Sequence, residues 1–405
     1  MTFRPQGQAD LTGRRRLSEG ELNLLLDGHA RFLAGKGGKR AQLPYVDFSG
    51  LDLRGRALSG ADLSGSVFDG ANMAGARLDG ADLRGCDLRR ADLRDADLRR
   101  ADMRGVCLQG ANLSGADLSE ADLRPGVVAR PHPTRGFPSV VEEDRGGEMD
   151  GANLTGATLD NSRLDGLFAA DTDFSDASLR GARMSDANLK GANFSGAFLG
   201  DAIVSGVIFE EAEFDGADLS GVTTLASARM RGAKLAGVVI PPSRDDMARA
   251  GKLLIDARAH DAWVGSGGQT GAPARLDEAD LRSLGDGLKG LKLTAISAKG
   301  ANLAALDLTG VQLQGANLEG SDLRAAILRG ADLRGVRLGR ANLTRADLSE
   351  ANLGPLTLGP GRSTSAVLAG ARLRYARLDG AVMDGAVLEG ADMRGARMPA
   401  HKTPA

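Results

Sequence analysis

The chain has 405 residues, of which 42 % are apolar, only 3 % are aromatic and 57 are glycine. Glycine at about twice its average frequency, with so few large rings, excludes a conventional core built on aromatic packing. The 51 Lys and Arg residues nearly balance the 53 Asp and Glu residues, so a net charge of −2 gives no strong attraction to nucleic acid or anionic lipid. No run approaches the ~20 apolar residues of a membrane span. We therefore expect no membrane contact. Two cysteines provide no disulfide framework, which predicts a cytoplasmic protein.

Residues 1–47 precede the regular part of the sequence and contain the first predicted helix. Ser18 and Glu21 form a capping-box pattern, which predicts a helix that runs to about Phe32. The glycine-rich stretch that follows, residues 35–40, lacks the Ser or Thr that ends a phosphate-binding loop. We therefore interpret it as a turn.

From Phe48 a period of five residues governs the sequence. Nearly every fifth residue is Leu, Phe or Met, the residue two before it is usually Ala, the residue between them is Asp or Asn, and the residue two after it is often Gly. A period of five fits neither the 3.6 of a helix nor the 2 of a strand. The runs cover residues 48–123, 154–240 with a slip of one residue at Leu225, and 288–398 with breaks only at Ala298 and Ser363.

The consensus A-[DN]-L-x-x resembles that of the pentapeptide-repeat family, and the resemblance covers most of the chain. It implies a bacterial-type, all-β solenoid: a right-handed quadrilateral β-helix with four pentapeptides in each square coil, here with short capping helices. The residues are consistent with that shape, because only a small side chain such as Ala fits beside a Leu in so narrow a tube. Glycine at the corners leaves room for the chain to turn.

Residues 124–149 interrupt the first two runs. They contain four prolines and several glycines, which predicts a long loop. A long loop inside a regular solenoid is a candidate partner-binding segment. Within it we expect Arg130, His132, Arg135 and Phe137 to contact a partner.

A second interruption, residues 241–275, resembles the N-terminal segment. Two prolines end the coil, and the sequence from Met247 to Trp263 predicts another helix. Like the first helix, it precedes a glycine-rich turn and a fresh run of repeats. We interpret the pair as a duplicated cap that covers the exposed strand edges of a first coil.

The residues that carry this duplication are His29 with Phe32 and His260 with Trp263. We expect the two aromatic rings to plug the end of the tube. None of the four histidines has metal-ligand spacing, so all four cap residues are assigned structural roles.

The predicted organisation follows from these boundaries. Residues 1–47 form an N-terminal segment with a capping helix, and residues 48–240 form a first β-helix module with the insertion 124–149. Residues 241–275 form a linker with the second capping helix, residues 276–398 a second β-helix module, and residues 399–405 a tail.

The sequence predicts no enzyme, no cofactor and no metal site. Its many Asp residues recur in every coil on the solvated side of the core Leu, which makes them a repeat feature rather than acid–base pairs. Cys86 occupies an inward position and Cys107 an outward one, which argues against a disulfide between them.

Charge is distributed unevenly between the runs. Residues 150–242 carry 13 acidic and 7 basic side chains, whereas residues 275–398 carry 14 acidic and 17 basic ones. Within the former, Glu210, Glu211, Glu213 and Asp215 lie in an unrelieved acidic stretch, and we treat them as further candidates for partner binding. A basic stretch extends from Arg324 to Arg345.

Two functions are consistent with these features. The first is a non-catalytic interaction scaffold or adaptor, a rigid solenoid rod that binds an unidentified protein partner through its faces and residues 124–149. The alternative rests on the family resemblance, since some pentapeptide-repeat proteins imitate duplex DNA and bind DNA gyrase or another type II topoisomerase.

The near-zero net charge and the Arg-rich last third depart from that alternative, because a DNA mimic needs a continuous negative face. Direct binding of nucleic acid is not expected, since Asp alternates with Arg and aromatic residues are scarce. A terminal coil is a candidate surface for a homodimer.

Overall fold

The computed structural model describes residues 14–130, 141–240 and 244–399. They belong to two compact units, Met1–Pro241 and Pro242–Ala405. Within each unit, parallel bridges join residues 20 positions apart, as between Asp52 and Asn72 or between Asn302 and Asp322. Twenty residues are four pentapeptides, which confirms the predicted right-handed quadrilateral β-helix.

One pentapeptide forms one side of each square coil. The core Leu58 donates its backbone N–H to the carbonyl of Arg77 in the next coil at 2.7 Å, and Arg77 donates back to Arg56 at 2.9 Å. The corner is a tight turn in which Ala61 donates to the carbonyl of Leu58 at 3.0 Å. Gly60 within that turn has φ = 64°, as the third residue of a type II turn requires.

Large and small side chains alternate in the interior, as the repeat predicts. Leu63 is 1 % exposed and Ala61, two residues earlier, is fully buried. Aromatic core residues stack along the axis from coil to coil, with the rings of Phe174 and Phe194 4.9 Å apart and nearly parallel. Each unit therefore has a continuous core in which every coil packs only on its neighbours.

The first unit begins with a cap made of helix α1 (Glu19–Leu33) and strand β1 (Arg15–Arg16), which pairs in parallel with strand β2 (Val46–Asp47). The predicted capping box is confirmed: Glu21 N–H donates to Ser18 Oγ at 3.3 Å, and Ser18 N–H donates to Glu21 Oε2 at 3.0 Å. Because β1 covers part of the edge of the first coil, fewer of its backbone groups are left unpaired.

The first coil starts at Ala41, before the predicted start at Phe48. Leu43 is a buried core residue, Gln42 bridges to Asp62, and Tyr45 takes the corner position with φ = 56°. This pentapeptide was not predicted because it departs from the consensus, with Gln at position 42, Pro at position 44 and Tyr at the corner.

The second unit has a cap of the same design. Helix α2 (Arg244–Gly265) is longer than the predicted span from Met247 to Trp263. Its Ala250 and Ala257 are buried in the core of the second unit, as are Leu276 and Leu281. The coil therefore begins ahead of Leu288, and a short 3₁₀ turn, Arg282–Leu284, interrupts its first sides.

A buried histidine joins each helix to the first coil. The N–H of Ala41 donates to Nδ1 of His29 at 3.1 Å, and the N–H of Ala274 donates to Nδ1 of His260 at 3.0 Å. Both imidazoles thus satisfy a backbone donor at the start of the ladder, where a buried unpaired N–H is costly.

The expectation that an aromatic ring plugs the tube is wrong for Phe32, which is 46 % exposed. Trp263 is half-buried. Phe32 follows the fully buried His29 by three residues, and their rings stack with centroids 6.1 Å apart. The imidazole therefore takes the inward place, because it can accept the backbone hydrogen bond that a phenyl ring cannot.

Proline twice occupies the corner position that requires positive φ, at Pro125 and Pro355, and each time the chain leaves the coil. Its ring fixes φ near −65°, so the corner cannot form. At the first site, strands β3 (Gly126–Arg130) and β4 (Val141–Arg145) form an antiparallel hairpin. At the second, strands β5 (Leu356–Gly359) and β6 (Arg362–Thr364) do the same.

These hairpins correct two predictions. Residues 124–149 are not simply a long loop, since two strands of the hairpin lie within them and Met149 is already a buried core residue. Leu358, which the repeat predicts to be a core residue, and Ser363, which the sequence shows as a break, both belong to the second hairpin. Leu358 is 58 % exposed. The slip of one residue near Leu225 is confirmed and is taken up by a 3₁₀ turn, Leu225–Ser227.

Deleting residues 125–145 should leave the first unit folded. The deletion joins Arg124 to Gly146 and recreates one coil side between the core residues Leu123 and Met149, with glycine at the corner where φ must be positive. We expect the circular dichroism spectrum and the thermal unfolding midpoint to stay close to those of the full chain.

The matched control deletes residues 125–146 and leaves that side one residue short. Because a shortened side cannot span the coil, this variant should lose cooperative unfolding. Equal behaviour of the two deletions would contradict the assigned corner.

The cap contains one turn position, Gly38, at which a side chain would collide with the backbone. Gly38 has φ = 97°, and a Cβ there would collide with the carbonyl oxygen of Gly28 in α1. Gly37 has φ = 77° but open space around its Cβ position. Gly38→Ala should therefore destabilise the cap by about 2–3 kcal/mol, and Gly37→Ala by only about 1 kcal/mol.

Hydrogen exchange of the α1 amides measures this difference, since a cap can open without unfolding the coils beyond it. Equal loss of protection in both variants would show that positive φ alone, rather than the contact with Gly28, constrains the turn.

Candidate interaction surface

The first hairpin is fixed to the coil at its base. A Cβ at Gly166 would lie 3.3 Å from the ring of Pro125, and a Cβ at Gly146 would lie 2.9 Å from the ring of Phe168. At Gly147 a Cβ would collide with the carbonyl oxygen of Leu123. These close approaches hold both ends of the hairpin against the coil.

The predicted contact residues of this segment divide into two groups. Arg130 is the last residue of β3 and pairs in register with Val141 of β4. His132, Arg135 and Phe137 lie outside the described residues. The register of the strands, from Gly126 opposite Arg145 to Arg130 opposite Val141, is regular throughout.

Apolar side chains near the hairpins were missed by sequence reasoning. Phe168 is 45 % exposed beside the base of the first hairpin, and Leu358 lies exposed on β5 of the second. Phe168 had a usable signal, because it occupies the outward position at which most repeats have Asp or Asn. Leu358 had none, since a Leu in that register is the consensus.

The acidic stretch is paired rather than unrelieved, which corrects the prediction. The Glu210 carboxylate accepts from Arg231 at 3.0 Å, and Glu211 pairs with Lys190 at 3.2 Å. Glu213 pairs with Lys234, and the Asp215 carboxylate accepts from the backbone N–H of Ala236 at 3.3 Å. Cations 21 residues away in sequence lie one coil away in space, so linear reading could not pair them.

Most arginines of the repeats also bind a carboxylate. An Asp before the core residue and an Arg after it form a bidentate pair on the outer surface, as in Asp92 and Arg94. Five consecutive sides carry such pairs: Asp82–Arg84, Asp87–Arg89, Asp92–Arg94, Asp97–Arg99 and Asp102–Arg104. In the predicted basic stretch, Arg324 pairs with Asp322 and Arg334 with Asp332.

These pairs lower the pKa values of carboxyl groups that take part in them. The hydrogen bond from Arg54 lowers the pKa of Asp52 to about 2, and the hydrogen bond from Arg94 lowers the pKa of Asp92. The carboxylates therefore stay ionised at neutral pH, and each is offset locally by its guanidinium. On the sides that carry such pairs, the surface is densely charged but locally balanced.

The two cysteines are buried and have raised pKa values. Cys107 is buried, although it occupies an outward position, and burial raises the pKa of its thiol to about 11; burial also raises the pKa of Cys86. Both cysteines are free, and thiols with such pKa values are poor nucleophiles at neutral pH.

Neither metal-site nor membrane-spanning features are found in the part of the chain that the structure describes. No cluster of three or more His, Cys, Asp or Glu side chains there could hold a metal ion. Among the same residues, no helix has the length and apolarity that crossing a bilayer requires.

The family model for pentapeptide repeats matches this sequence in eight copies. The copies lie at residues 47–85, 86–124, 152–191, 170–206, 187–223, 288–324, 326–354 and 364–398. The gaps between them include the first hairpin, the second cap and most of the second hairpin. No curated protein matches the chain significantly.

Several solved structures resemble the chain. A pentapeptide repeat protein from the cyanobacterium Cyanothece 51142 is 28 % identical over 32 % of this chain and 88 % of its own, with a TM-score of 0.27. HetL, a pentapeptide repeat protein involved in heterocyst differentiation regulation in Nostoc sp. strain PCC 7120, is 22 % identical over 94 % of this chain and 97 % of its own, with a TM-score of 0.18.

QnrB1, a plasmid-mediated fluoroquinolone resistance protein, is 20 % identical over 52 % of this chain and 88 % of its own, with a TM-score of 0.21. TM-scores of this size do not indicate a shared function.

Acid should loosen the first cap. Burial lowers the pKa of His29 below its usual 6.5, because removal from water disfavours the charged ring. The geometry agrees, since Nδ1 accepts the N–H of Ala41. A lowered folded-state pKa means that the unfolded state binds the proton more tightly, so stability is present above pH 6.5 and is lost as the pH falls below it. Hydrogen-exchange protection of the α1 amides, corrected for the intrinsic rate, should fall between pH 7 and pH 5.

His29→Asn is the matched variant, since its amide oxygen can replace Nδ1 as an acceptor without titrating in this range. Protection of α1 in that variant should be independent of pH. If both proteins lose protection equally on acidification, another group controls the cap.

Proposed function

Because the chain belongs to the pentapeptide-repeat family, whose members are in general structural or binding proteins, we propose that it is a non-catalytic interaction scaffold or adaptor in the cytoplasm. The observation that carries the proposal is the first hairpin. The parallel bridges of the coil continue across the hairpin, since Cys107 before it is bridged to Glu148 after it. The coil therefore does not depend on the intervening strands.

A segment that the fold does not need, yet that is firmly anchored, is suited to presenting side chains. The contacts of Pro125, Gly146 and Gly147 hold its base against the coil. A partner that binds a segment held in this way has less conformational entropy to overcome than one that must order a loop. We assign the partner-contacting role to β3, β4 and the residues between them, with Phe168 as an apolar contact at the base.

The alternative, DNA mimicry toward a topoisomerase, receives no support from the charges. A mimic needs carboxylates that are free to occupy phosphate positions. Here Glu210, Glu211 and Glu213 each lie against a cation. Inhibition of gyrase supercoiling that disappears on reversing these three residues to Lys would revive the alternative.

The expected homodimer through a terminal coil also stays a prediction. In the last described coil, Met383, Leu388 and Met393 occupy core positions but are only partly buried. This coil presents more apolar surface than an interior one.

Deleting residues 125–145 should abolish capture of the partner while the coil stays folded. The full chain and the deletion variant are each immobilised, and the proteins that each retains are compared. Every retained candidate is then purified and titrated against both chains to measure its affinity. The matched control deletes residues 355–364, which removes the second hairpin and joins Gly354 to Ser365.

We expect the control to bind the purified partner with the affinity of the full chain. A partner that binds both deletion variants equally well would place the binding surface on the coil faces and overturn the assignment to the first hairpin.

A further inference from the structure

The outer face of α1 has an apolar ridge that the fold leaves exposed. Leu24 is 70 % exposed and Phe32 is 46 % exposed, while Leu22, Leu26 and His29 on the other side of the helix are buried. Leu24 and Phe32 are eight residues apart, and Gly28 lies midway between them. Residues four apart form one ridge along a helix surface, so these three side-chain positions are aligned.

No contact within the unit requires glycine at position 28. It lies in the interior of a 15-residue helix, where glycine costs about 1 kcal/mol relative to alanine. A Cβ at this position would meet nothing within 4 Å. Gly38 approaches the carbonyl oxygen of Gly28, not the space that a side chain would occupy, so that contact does not require glycine at position 28.

We propose that the ridge formed by Leu24, Gly28 and Phe32 is a self-association surface, on which α1 of a second copy of this chain packs in antiparallel orientation. Glycine at the centre lets the two helix backbones approach closely. A two-fold axis at Gly28 places Leu24 of each copy beside Phe32 of the other. The surface is thus complementary to itself, as an isologous interface must be.

Charge on the flank of the ridge agrees with this arrangement. Asp27 and Arg31 lie on the same side of the ridge, one helical turn apart, and both are exposed. Neither forms an ion pair with any other described residue. The two-fold axis brings Asp27 of each copy toward Arg31 of the other, which gives two equivalent ion pairs.

The second cap helix has a comparably exposed apolar residue, with Ile255 68 % exposed, but it lacks the central glycine and the opposite charges. In α2 the positions that correspond to Leu24, Gly28 and Phe32 are Ile255, Ala259 and Trp263. On the flank, Arg258 and Ala262 replace Asp27 and Arg31, so the opposite charges are missing. The central glycine and the pair of opposite charges are therefore found on α1 and not on α2.

The interface is small. A helix of 15 residues is about 22 Å long, and a pair of them buries less than the roughly 1,600 Å² of a standard interface. We therefore expect a dimer that forms in the micromolar range and dissociates on dilution.

Sedimentation velocity of the full chain, over protein concentrations spanning that range, tests the proposal. Gly28→Leu should weaken the dimer at least tenfold because the added side chain separates the helices. The same change should leave the thermal midpoint equal or higher, since leucine favours helix more than glycine does. Gly251→Leu in α2 is the matched control, because that glycine also has open space around it, and its dimer should be unchanged.

Charge exchange tests the pairing itself. Asp27→Arg should weaken the dimer, and Asp27→Arg combined with Arg31→Asp should restore it. A chain that stays monomeric at every concentration would overturn the proposal. So would a dimer that is indifferent to Gly28→Leu and is lost instead in Met393→Asp, which would assign association to the last coil.

Discussion

The whole fold depends on one backbone constraint, the positive φ of the residue two positions after each core residue. It closes each corner, and four corners per coil set the 20-residue spacing that lets every coil hydrogen-bond to the next. Glycine meets the constraint without strain. Asp, Asn, Glu, Arg and even Ala also meet it at individual corners, where the surrounding ladder must hold them in a less favourable conformation. Proline cannot meet it, and the two hairpins begin where proline stands.

The coil could be predicted from the sequence because its cause is local. A Leu with an Ala two residues before it and a Gly two residues after it specifies inward packing and a corner in every repeat. The same rule explains an error: the insertion that begins at Pro355 is ten residues long, which equals two periods, so Leu358 continues the register although the chain has left the coil. The insertion at Pro125 is not a multiple of five, and it was visible for that reason.

Contacts between coils were beyond sequence reasoning. The cations that neutralise Glu210 and Glu213 lie 21 residues further along, and only the coil geometry makes them neighbours. The cap shows the same limit. His29 and Phe32 are both plausible inward residues by sequence, but only the imidazole can accept the unpaired N–H of Ala41, and that interaction decides which one is buried. The duplicated histidine of α2 confirms that this is a property of the cap and not of one position.

The most direct test of the corner constraint is a pair of substitutions at Gly75. This residue has φ = 65° and nothing within 4 Å of its Cβ position, so neither variant meets a steric obstacle beyond its own backbone. Asn adopts positive φ readily and Val does not. Hydrogen-exchange protection of the surrounding coil should be nearly unchanged in Gly75→Asn and reduced by about 1–2 kcal/mol in Gly75→Val. Equal protection in the two variants would contradict the account that positive φ at the corner holds the coil together.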